Sequence, residues 1–223
     1  MGVKDYILDH PEKFKSISKV YNNTIGFNQI RINGNNKLDV KTIQLKNTKI
    51  NVHGKSNIIK IGNLSRLINC TINISGNNNV IEISDKVSLN NTELHIEDNN
   101  NLISIGKHTS IHGKTHLAAI ESTKIIIGED CMFSSDIHFR TGDSHSITNL
   151  EGERLNKSED INIGNHVWVG TKVICLKGAR ILDNCIVGAG TLVNKKFNES
   201  NCIIAGNPSK IISRNKNWKR ERV

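Results

Sequence analysis

The chain has 223 residues, enough to bury a large core, and its length does not require more than one domain. Only 4% of the residues are aromatic, so aliphatic side chains must fill that core. The formal net charge of +9 favours anionic partners, but no long basic run carries interleaved aromatic residues, which argues against nucleic acid. No stretch approaches the roughly 20 apolar residues that a membrane span requires.

The N-terminal segment, residues 1–20, mixes charged and apolar residues, and we expect it to form a short cap. It lacks the apolar core of a secretory signal. The five cysteines of the chain are scattered and form no CxxC pair, which is typical of reduced, packed thiols. These features predict a cytoplasmic protein.

A 22-residue period runs through the first half of the chain. Its aliphatic anchors are Ile61, Ile83, Ile105 and Ile127. A six-residue step lies inside each unit, so 22 residues are three six-residue faces plus a four-residue corner insertion. The corner segments 75–79 (SGNNN) and 97–101 (EDNNN) are rich in Asn, which tolerates the left-handed backbone of tight turns.

A pure six-residue period governs the second half. Its anchors are Ile163, Val169, Cys175, Ile181, Val187 and Val193. A helix would need spacings of three and four, and a simple strand would alternate at two. Short strands joined by turns on three faces predict an all-β protein, a left-handed parallel β-helix over residues 21–212. The 22-residue period alone also fits a right-handed β-helix, but the six-residue step favours the left-handed form.

The six-residue pattern is interrupted between residues 140 and 160, a polar segment that we expect to be extruded as a loop. Loops on rigid scaffolds commonly carry function. Asp143 stands two residues before His145. An imidazole there can take a proton from a hydroxyl, and a carboxylate can fix its tautomer. From the residues alone, an inert surface histidine remains the alternative.

The motif order supports a family resemblance. An Asp-x-His loop is followed by IGNHVWVG (163–170), VGAGTLV (187–193) and AGNPSK (205–210). This order, with the [LIV]-G-x4 repeats, resembles the hexapeptide-repeat acyltransferases, most closely the polysaccharide and sialic-acid O-acetyltransferases. The resemblance implies a homotrimer with active sites between subunits, and acetyl-CoA as acetyl donor. It implies that His145 is the general base, with Asp143 beside it, and that Trp168 lines the acceptor and thioester site.

The same resemblance implies a donor site along the coils. Residues placed there are Trp168, Gly170, Gly188, Ala189, Thr191, Lys195, Lys196 and Lys210. The glycines leave backbone N–H groups accessible, and an N–H near Gly170 is a candidate for stabilising the oxyanion. The three lysines can hold the phosphates of coenzyme A, although a solvated basic surface is the alternative.

The sequence therefore predicts an acetyl-CoA-dependent O-acetyltransferase acting on a sugar hydroxyl of a bacterial surface polysaccharide such as capsule, O-antigen or a sialic-acid glycan. We expect direct transfer without an acyl-enzyme, since no cysteine lies in the loop. A xenobiotic acetyltransferase of the streptogramin or chloramphenicol type, an amino-sugar N-acetyltransferase and a non-enzymatic β-helix scaffold remain open.

Two further features carry weaker expectations. His108, His112 and His116 stand at four-residue spacing, but on a six-residue coil they point in different directions, so no metal site is predicted. The basic C-terminal tail, residues 213–223, ends in WKRERV (218–223). This last segment either contacts a polymeric acceptor or is a disordered solubilising tail, and the second interpretation is favoured.

Overall fold

The computed structural model describes residues 26–42 and 44–222. These residues form β-strands and turns, and none of them belongs to a helix that could cross a membrane. The predicted cap, residues 1–20, lies outside the described residues.

The strands of the first part of the chain are β1 (Gln29–Ile32), β2 (Lys37–Val40), β3 (Gln44–Lys46), β4 (Lys49–His53), β5 (Ile58–Ile61), β6 (Arg66–Ile68), β7 (Thr71–Ser75), β8 (Val80–Ile83), β9 (Ser88–Glu97), β10 (Leu102–Ile105), β11 (Ser110–Ala119) and β12 (Lys124–Ile127). Those of the second part are β13 (Met132–Phe133), β14 (His138–Arg140), β15 (Ile161–Ile163), β16 (Trp168–Val169), β17 (Ile174–Leu176), β18 (Arg180–Ile181), β19 (Ile186–Val187), β20 (Leu192–Val193), β21 (Cys202–Ala205) and β22 (Lys210–Arg214).

These strands stack into three faces. Face 1 contains β1, β4, β7, the second halves of β9 and β11, β14, β17 and β20. Face 2 contains β3, β6, the first halves of β9 and β11, β13, β16, β19, β21 and β22. Face 3 contains β2, β5, β8, β10, β12, β15 and β18. The chain visits the faces in a fixed cyclic order, so it is a parallel β-helix, as predicted. Its left-handed sense stays a prediction.

The predicted anchors form the core. Ile61 pairs with Ile83 one 22-residue coil later, and Val169 pairs with Val187 one 18-residue coil later. The inward residues of successive coils stack directly, and the anchors at the two periods are at most 3% exposed. Full burial of each such side chain contributes roughly 1.5–3 kcal/mol. Cys175 is one of these core residues, and burial raises the pKa of its thiol.

A ladder of buried polar side chains runs along the corner between face 1 and face 3. The backbone N–H of Asn79 donates to Oδ1 of Asn57 at 2.9 Å, and that of Asn101 donates to Oδ1 of Asn79 at 2.8 Å. The N–H of Thr123 continues the ladder to Oδ1 of Asn101 at 2.9 Å. The hydroxyl of Thr123 then donates to that of Thr141 at 2.6 Å. The ladder therefore satisfies the corner of each coil and reaches the first residue after β14.

The C-terminal segment packs back on the three-faced prism that the stacked coils form. β22 pairs antiparallel with β21, at the end of face 2. Beyond it, Trp218 is only 6% exposed and its indole stacks on His166. The prediction that the segment 218–223 is disordered is therefore wrong for residues 218–220, which a buried indole and the hydrogen bonds of Trp218 and Arg220 hold in place.

Candidate active site

The loop between β14 and β15, residues 141–160, leaves the prism at the corner between faces 1 and 3. It is more regular than the sequence suggests. The N–H of Leu155 donates to the carbonyl of Ile147 at 2.8 Å, and Thr148 bridges antiparallel to Arg154. The middle of the loop is thus a small hairpin that projects from the coil.

Asn156 joins the two ends of this hairpin and was not identified from the sequence. Its Nδ2 donates to Oδ2 of Asp143 and to the carbonyl of His145, both at 2.8 Å. Its Oδ1 accepts from the N–H of Ile147 at 2.7 Å. The side chain of Asn156 thus bonds to three residues of the segment 143–147 and holds in place the part of the loop that carries His145.

His145 itself presents an exposed imidazole. The carboxylate of Asp143 is paired with the ammonium of Lys177 and with Asn156, and no ion pair joins it to His145 among the described residues. This differs from the expectation that Asp143 fixes the imidazole tautomer, because a full positive charge is the stronger partner for a carboxylate. Lys177 first, and then Asn156, holds the pKa of Asp143 below its ordinary value. Asp143 thus ties the loop to the coil that follows β17.

A second ion pair anchors the far side of the loop. The guanidinium of Arg154 makes two contacts of 2.9 Å with the carboxylate of Glu121. The hydroxyl of Ser158 donates to the same carboxylate at 2.7 Å. These two partners, Arg154 foremost, lower the pKa of Glu121. The loop is therefore fastened at both ends, with His145 on its surface between the anchors.

Trp168 lies on face 2, in strand β16. Its side chain points outward and is 40% exposed, beside the buried Val169. In a three-faced prism, the corner between faces 1 and 3 is the vertex opposite face 2. One protomer therefore does not bring His145 and Trp168 together.

Gly170 follows β16, and its own N–H donates to the carbonyl of Val187 at 2.8 Å. That N–H is used in the hydrogen bonds between coils, so a donor near Gly170 would have to come from a neighbouring residue. A Cβ at position 170 would lie 2.8 Å from the backbone N of Ala189. Ala189 is exposed, and among the described residues its N–H has no acceptor. The absence of a side chain at Gly170 leaves this neighbouring donor open to a ligand.

The other predicted donor-site positions are more structural. The N–H of Gly188 donates to the carbonyl of Ile204 at 2.8 Å. Thr191 is buried, and its hydroxyl donates to the carbonyl of Gly188 at 2.6 Å. Its backbone carbonyl accepts from the N–H of Ile174. The hydroxyl and the carbonyl of Thr191 thus both form hydrogen bonds within the β-helix.

The three lysines are exposed but do not form one cluster. Lys195 and Lys196 follow β20, and Lys196 lines a cavity of about 640 Å³ on face 3 together with Arg180. Lys210 begins β22, at the end of face 2 that also carries Trp168. Of the three, Lys210 therefore shares its face with the tryptophan.

The three histidines considered for zinc lie apart. Nδ1 of His108 is 3.2 Å from Oδ1 of Asp130, and Nε2 of His112 is 3.1 Å from the hydroxyl of Ser88 on face 2. His116 lies on face 1. In the part of the chain that the structure describes, no group of three metal-ligating side chains converges.

Six-residue steps on three faces, an extruded loop carrying a histidine and a W-V-G segment on one face are the features of the hexapeptide-repeat acyltransferases. No family model matches the chain. It is 39% identical over 146 residues to the polysialic acid O-acetyltransferase of Neisseria meningitidis, covering 65% of this chain and 67% of that protein. It is 37% identical over 101 residues to the polysialic acid O-acetyltransferase of Escherichia coli O1:K1 / APEC, covering 45% of this chain and 33% of that one.

Solved structures agree with these relatives. The crystal structure of the polysialic acid O-acetyltransferase OatWY superposes with a TM-score of 0.75 at 34% identity, covering 88% of this chain and 89% of that chain. The matched segment spans only a third of the Escherichia coli relative's length. The chain belongs to the polysialic acid O-acetyltransferase family of the hexapeptide-repeat acyltransferases.

Proposed function

We propose that this protein is an acetyl-CoA-dependent O-acetyltransferase that acetylates a sugar hydroxyl of a bacterial surface polysaccharide in the cytoplasm. The observation that carries the proposal is the exposed His145 in a doubly anchored loop, in a chain whose relatives are polysialic acid O-acetyltransferases. Capsule, O-antigen and sialic-acid glycans are the acceptor classes. The net charge of +9 suits an acidic polymer among them.

In the proposed reaction, His145 is the general base. Its imidazole takes the proton of the acceptor hydroxyl, whose oxygen becomes a nucleophile strong enough to attack a carbonyl. The donor supplies an acetyl group activated as a thioester. As the new ester C–O bond forms, the thioester C–S bond breaks, and the protonated His145 returns its proton to the departing thiolate. Asn156 fixes the backbone that carries the base, and Asp143, paired with Lys177, holds this part of the loop against the prism. Both are positioning residues in this scheme.

The donor site is proposed along face 2 and the adjoining corner. Trp168 offers an exposed flat apolar surface there, which suits a sugar ring or a pantetheine arm. The open N–H of Ala189, exposed by Gly170, is the candidate donor to the oxyanion, an interaction worth about 3–4 kcal/mol where one such donor is removed. Lys210 on the same face, with Lys195 and Lys196 further round the prism, is proposed for the phosphates.

A homotrimer is part of the proposal. His145 leaves the prism at the vertex opposite the face that carries Trp168. A site that needs both residues is completed if the loop of one protomer reaches face 2 of its neighbour. The separation of the two residues in one protomer therefore supports active sites between subunits.

The test is thiol release from acetyl-CoA across a panel of sialic-acid polymers, other acidic and neutral glycans, amino sugars, chloramphenicol and a streptogramin. We expect activity on a glycan and a fall in kcat/KM of roughly 10²- to 10⁴-fold in His145→Ala. His53→Ala, at an exposed histidine of β4, is the matched control and should retain wild-type activity. Release of thiol only with a drug or an amine would show that the acceptor is a xenobiotic or an amino sugar and not a glycan hydroxyl. The absence both of turnover and of acetyl-CoA binding by calorimetry would refute the enzyme.

A further inference from the structure

The segment after β22, residues 215–220, forms an ordered strap at the corner between face 3 and face 2. The N–H of Lys216 attaches it to the carbonyl of Asn201 at 2.8 Å. Its neighbours along the chain are exposed, but Trp218 is only 6% exposed. A large aromatic buried within a polar segment contributes substantial apolar contact area, so the strap is held by specific packing.

The first partner of Trp218 is His166, which stands in the corner turn before β16. The two rings stack with centroids 4.3 Å apart and planes 9° apart. The indole Nε1 donates to the carbonyl of His166 at 2.8 Å. The imidazole Nε2 lies 3.1 Å from the carbonyl of Trp218, and its Nδ1 lies 2.7 Å from Oδ2 of Asp130. Ring packing and reciprocal hydrogen bonds thus join the strap to the turn.

Arg220, at the C-terminal end of the strap, forms hydrogen bonds to four residues of the β-helix. Its Nε donates to Oδ1 of Asp130 at 3.0 Å, and its Nη1 donates to the hydroxyl of Ser110 at 2.9 Å. Its Nη2 reaches the carbonyls of His108 and Cys131 at 3.1 and 2.9 Å. Burial raises the pKa of Asp130, but the hydrogen bonds from His166 and Arg220 outweigh it and leave the pKa below its ordinary value. The strap is therefore held in place by hydrogen bonds to the ionised carboxylate of Asp130.

Trp218, in the middle of the strap, lies beside the exposed Trp168 of the proposed site. The rings of Trp168 and Trp218 lie with centroids 6.3 Å apart at 47°, within the range of favourable tilted aromatic pairs. Trp218 fills the space on one side of the Trp168 indole, which stays 40% exposed elsewhere. We propose that Trp218 is a positioning residue that sets the orientation of the Trp168 ring, so that the C-terminal strap is part of the donor site.

This inference rests on the proposed function, because it gives Trp168 a role in binding the acetyl donor. Trp218 itself is too deeply buried to contact a ligand. Its removal should therefore raise the KM for acetyl-CoA and change kcat little. The aromatic pair sets the scale, and we expect roughly a 5- to 10-fold rise in KM for Trp218→Ala. Trp218→Phe keeps a ring in the same place and should restore KM to within about two-fold.

The chain offers a direct spectroscopic test, since Trp168 and Trp218 are its only tryptophans. Trp218→Ala and Trp218→Phe both leave Trp168 as the sole indole. We expect lower fluorescence anisotropy and stronger acrylamide quenching of Trp168 in the alanine variant than in the phenylalanine variant. Lys219→Ala, at the exposed residue between the two strap contacts, is the matched control for KM.

The outcomes separate the two proposals. Folding of each variant is checked by circular dichroism. If Trp218→Ala does not fold, Arg220→Ala is made in the Trp218→Phe background. This variant removes the Arg220 hydrogen bonds that hold the strap and keeps an aromatic ring at position 218. Unchanged anisotropy of Trp168 in a folded variant, or an unchanged KM, overturns the positioning role. If the wild-type protein turns over no acetyl-CoA, the proposed function fails, and the fluorescence comparison alone decides whether the strap orients Trp168.

Discussion

Substitution of Asn156 by alanine should separate the position of the general base from the stability of the fold. The side chain makes hydrogen bonds to Asp143, His145, Ile147 and Arg154. Asp143 keeps Lys177 and Arg154 keeps Glu121 after the substitution. The carbonyl of His145 and the N–H of Ile147 are left without another hydrogen-bond partner in the described part of the protein.

Both orphaned groups belong to exposed residues, so water can replace Asn156, and each loss costs about 1 kcal/mol. The sum of about 2 kcal/mol corresponds to a fall of roughly 30-fold in the population of the ordered loop, and in kcat/KM. The melting temperature should change little, because the core anchors are untouched.

Kinetics and hydrogen exchange together test this reasoning. The amide of Ile147 should lose protection by about the same factor as kcat/KM, since its acceptor is Oδ1 of Asn156. Asn149→Ala is the matched control, because Asn149 hydrogen-bonds within the hairpin, to Glu153. If Asn156→Ala exchanges faster at Ile147 but retains kcat/KM within two-fold, the loop backbone does not position His145.

Three further perturbations probe the same structure. Gly170→Ala places a Cβ 2.8 Å from the backbone N of Ala189, so the backbone of the next coil must shift. We expect kcat to fall by roughly 10²-fold and the melting temperature to fall as well; steady-state kinetics and calorimetry check this. Asn79→Leu breaks the buried corner ladder and should lower the free energy of unfolding by about 2–3 kcal/mol, measured by urea denaturation against Asn78→Asp at the neighbouring turn residue. Asp143 has a depressed pKa, so its contribution to loop order is present at neutral pH and lost as pH falls through that pKa; Lys177→Met should move the loss to higher pH in an NMR titration of the loop amides.

The parts of the fold that repeat could be predicted from the sequence. Ile61 and Val187 follow the six-residue step because one inward side chain per face is all that a triangular coil can bury. The corner segments 75–79 and 97–101 predict left-handed turns, and Asn78 and Asn100 within them adopt φ values of 57° and 60°. Each coil meets the same neighbours, so the local pattern and the global packing specify one structure.

The contacts that organise the site do not repeat, so no period in the sequence reveals them. Asn156 reaches Asp143 across 13 positions, Lys177 reaches it across 34, and Trp218 reaches His166 across 52. Asp143 was assigned to His145 because they are close in sequence. In the structure, a lysine from a later coil is nearer to the carboxylate and carries the charge that it needs.

The Asn-rich coils acquire a role through the corner at which the loop begins. Because each coil contacts only its neighbours, a loop on a β-helix is only as well fixed as the coil below it. The ladder from Asn57 through Asn101 to Thr141 removes unsatisfied polar groups from that corner, which would otherwise be costly when buried. The same corner carries the loop and Lys177, so the asparagines give the base of the His145 loop a continuous hydrogen-bonded support. The repeated asparagines thus supply a continuous set of hydrogen bonds at the vertex from which the loop emerges, while Trp168 lies on the opposite face.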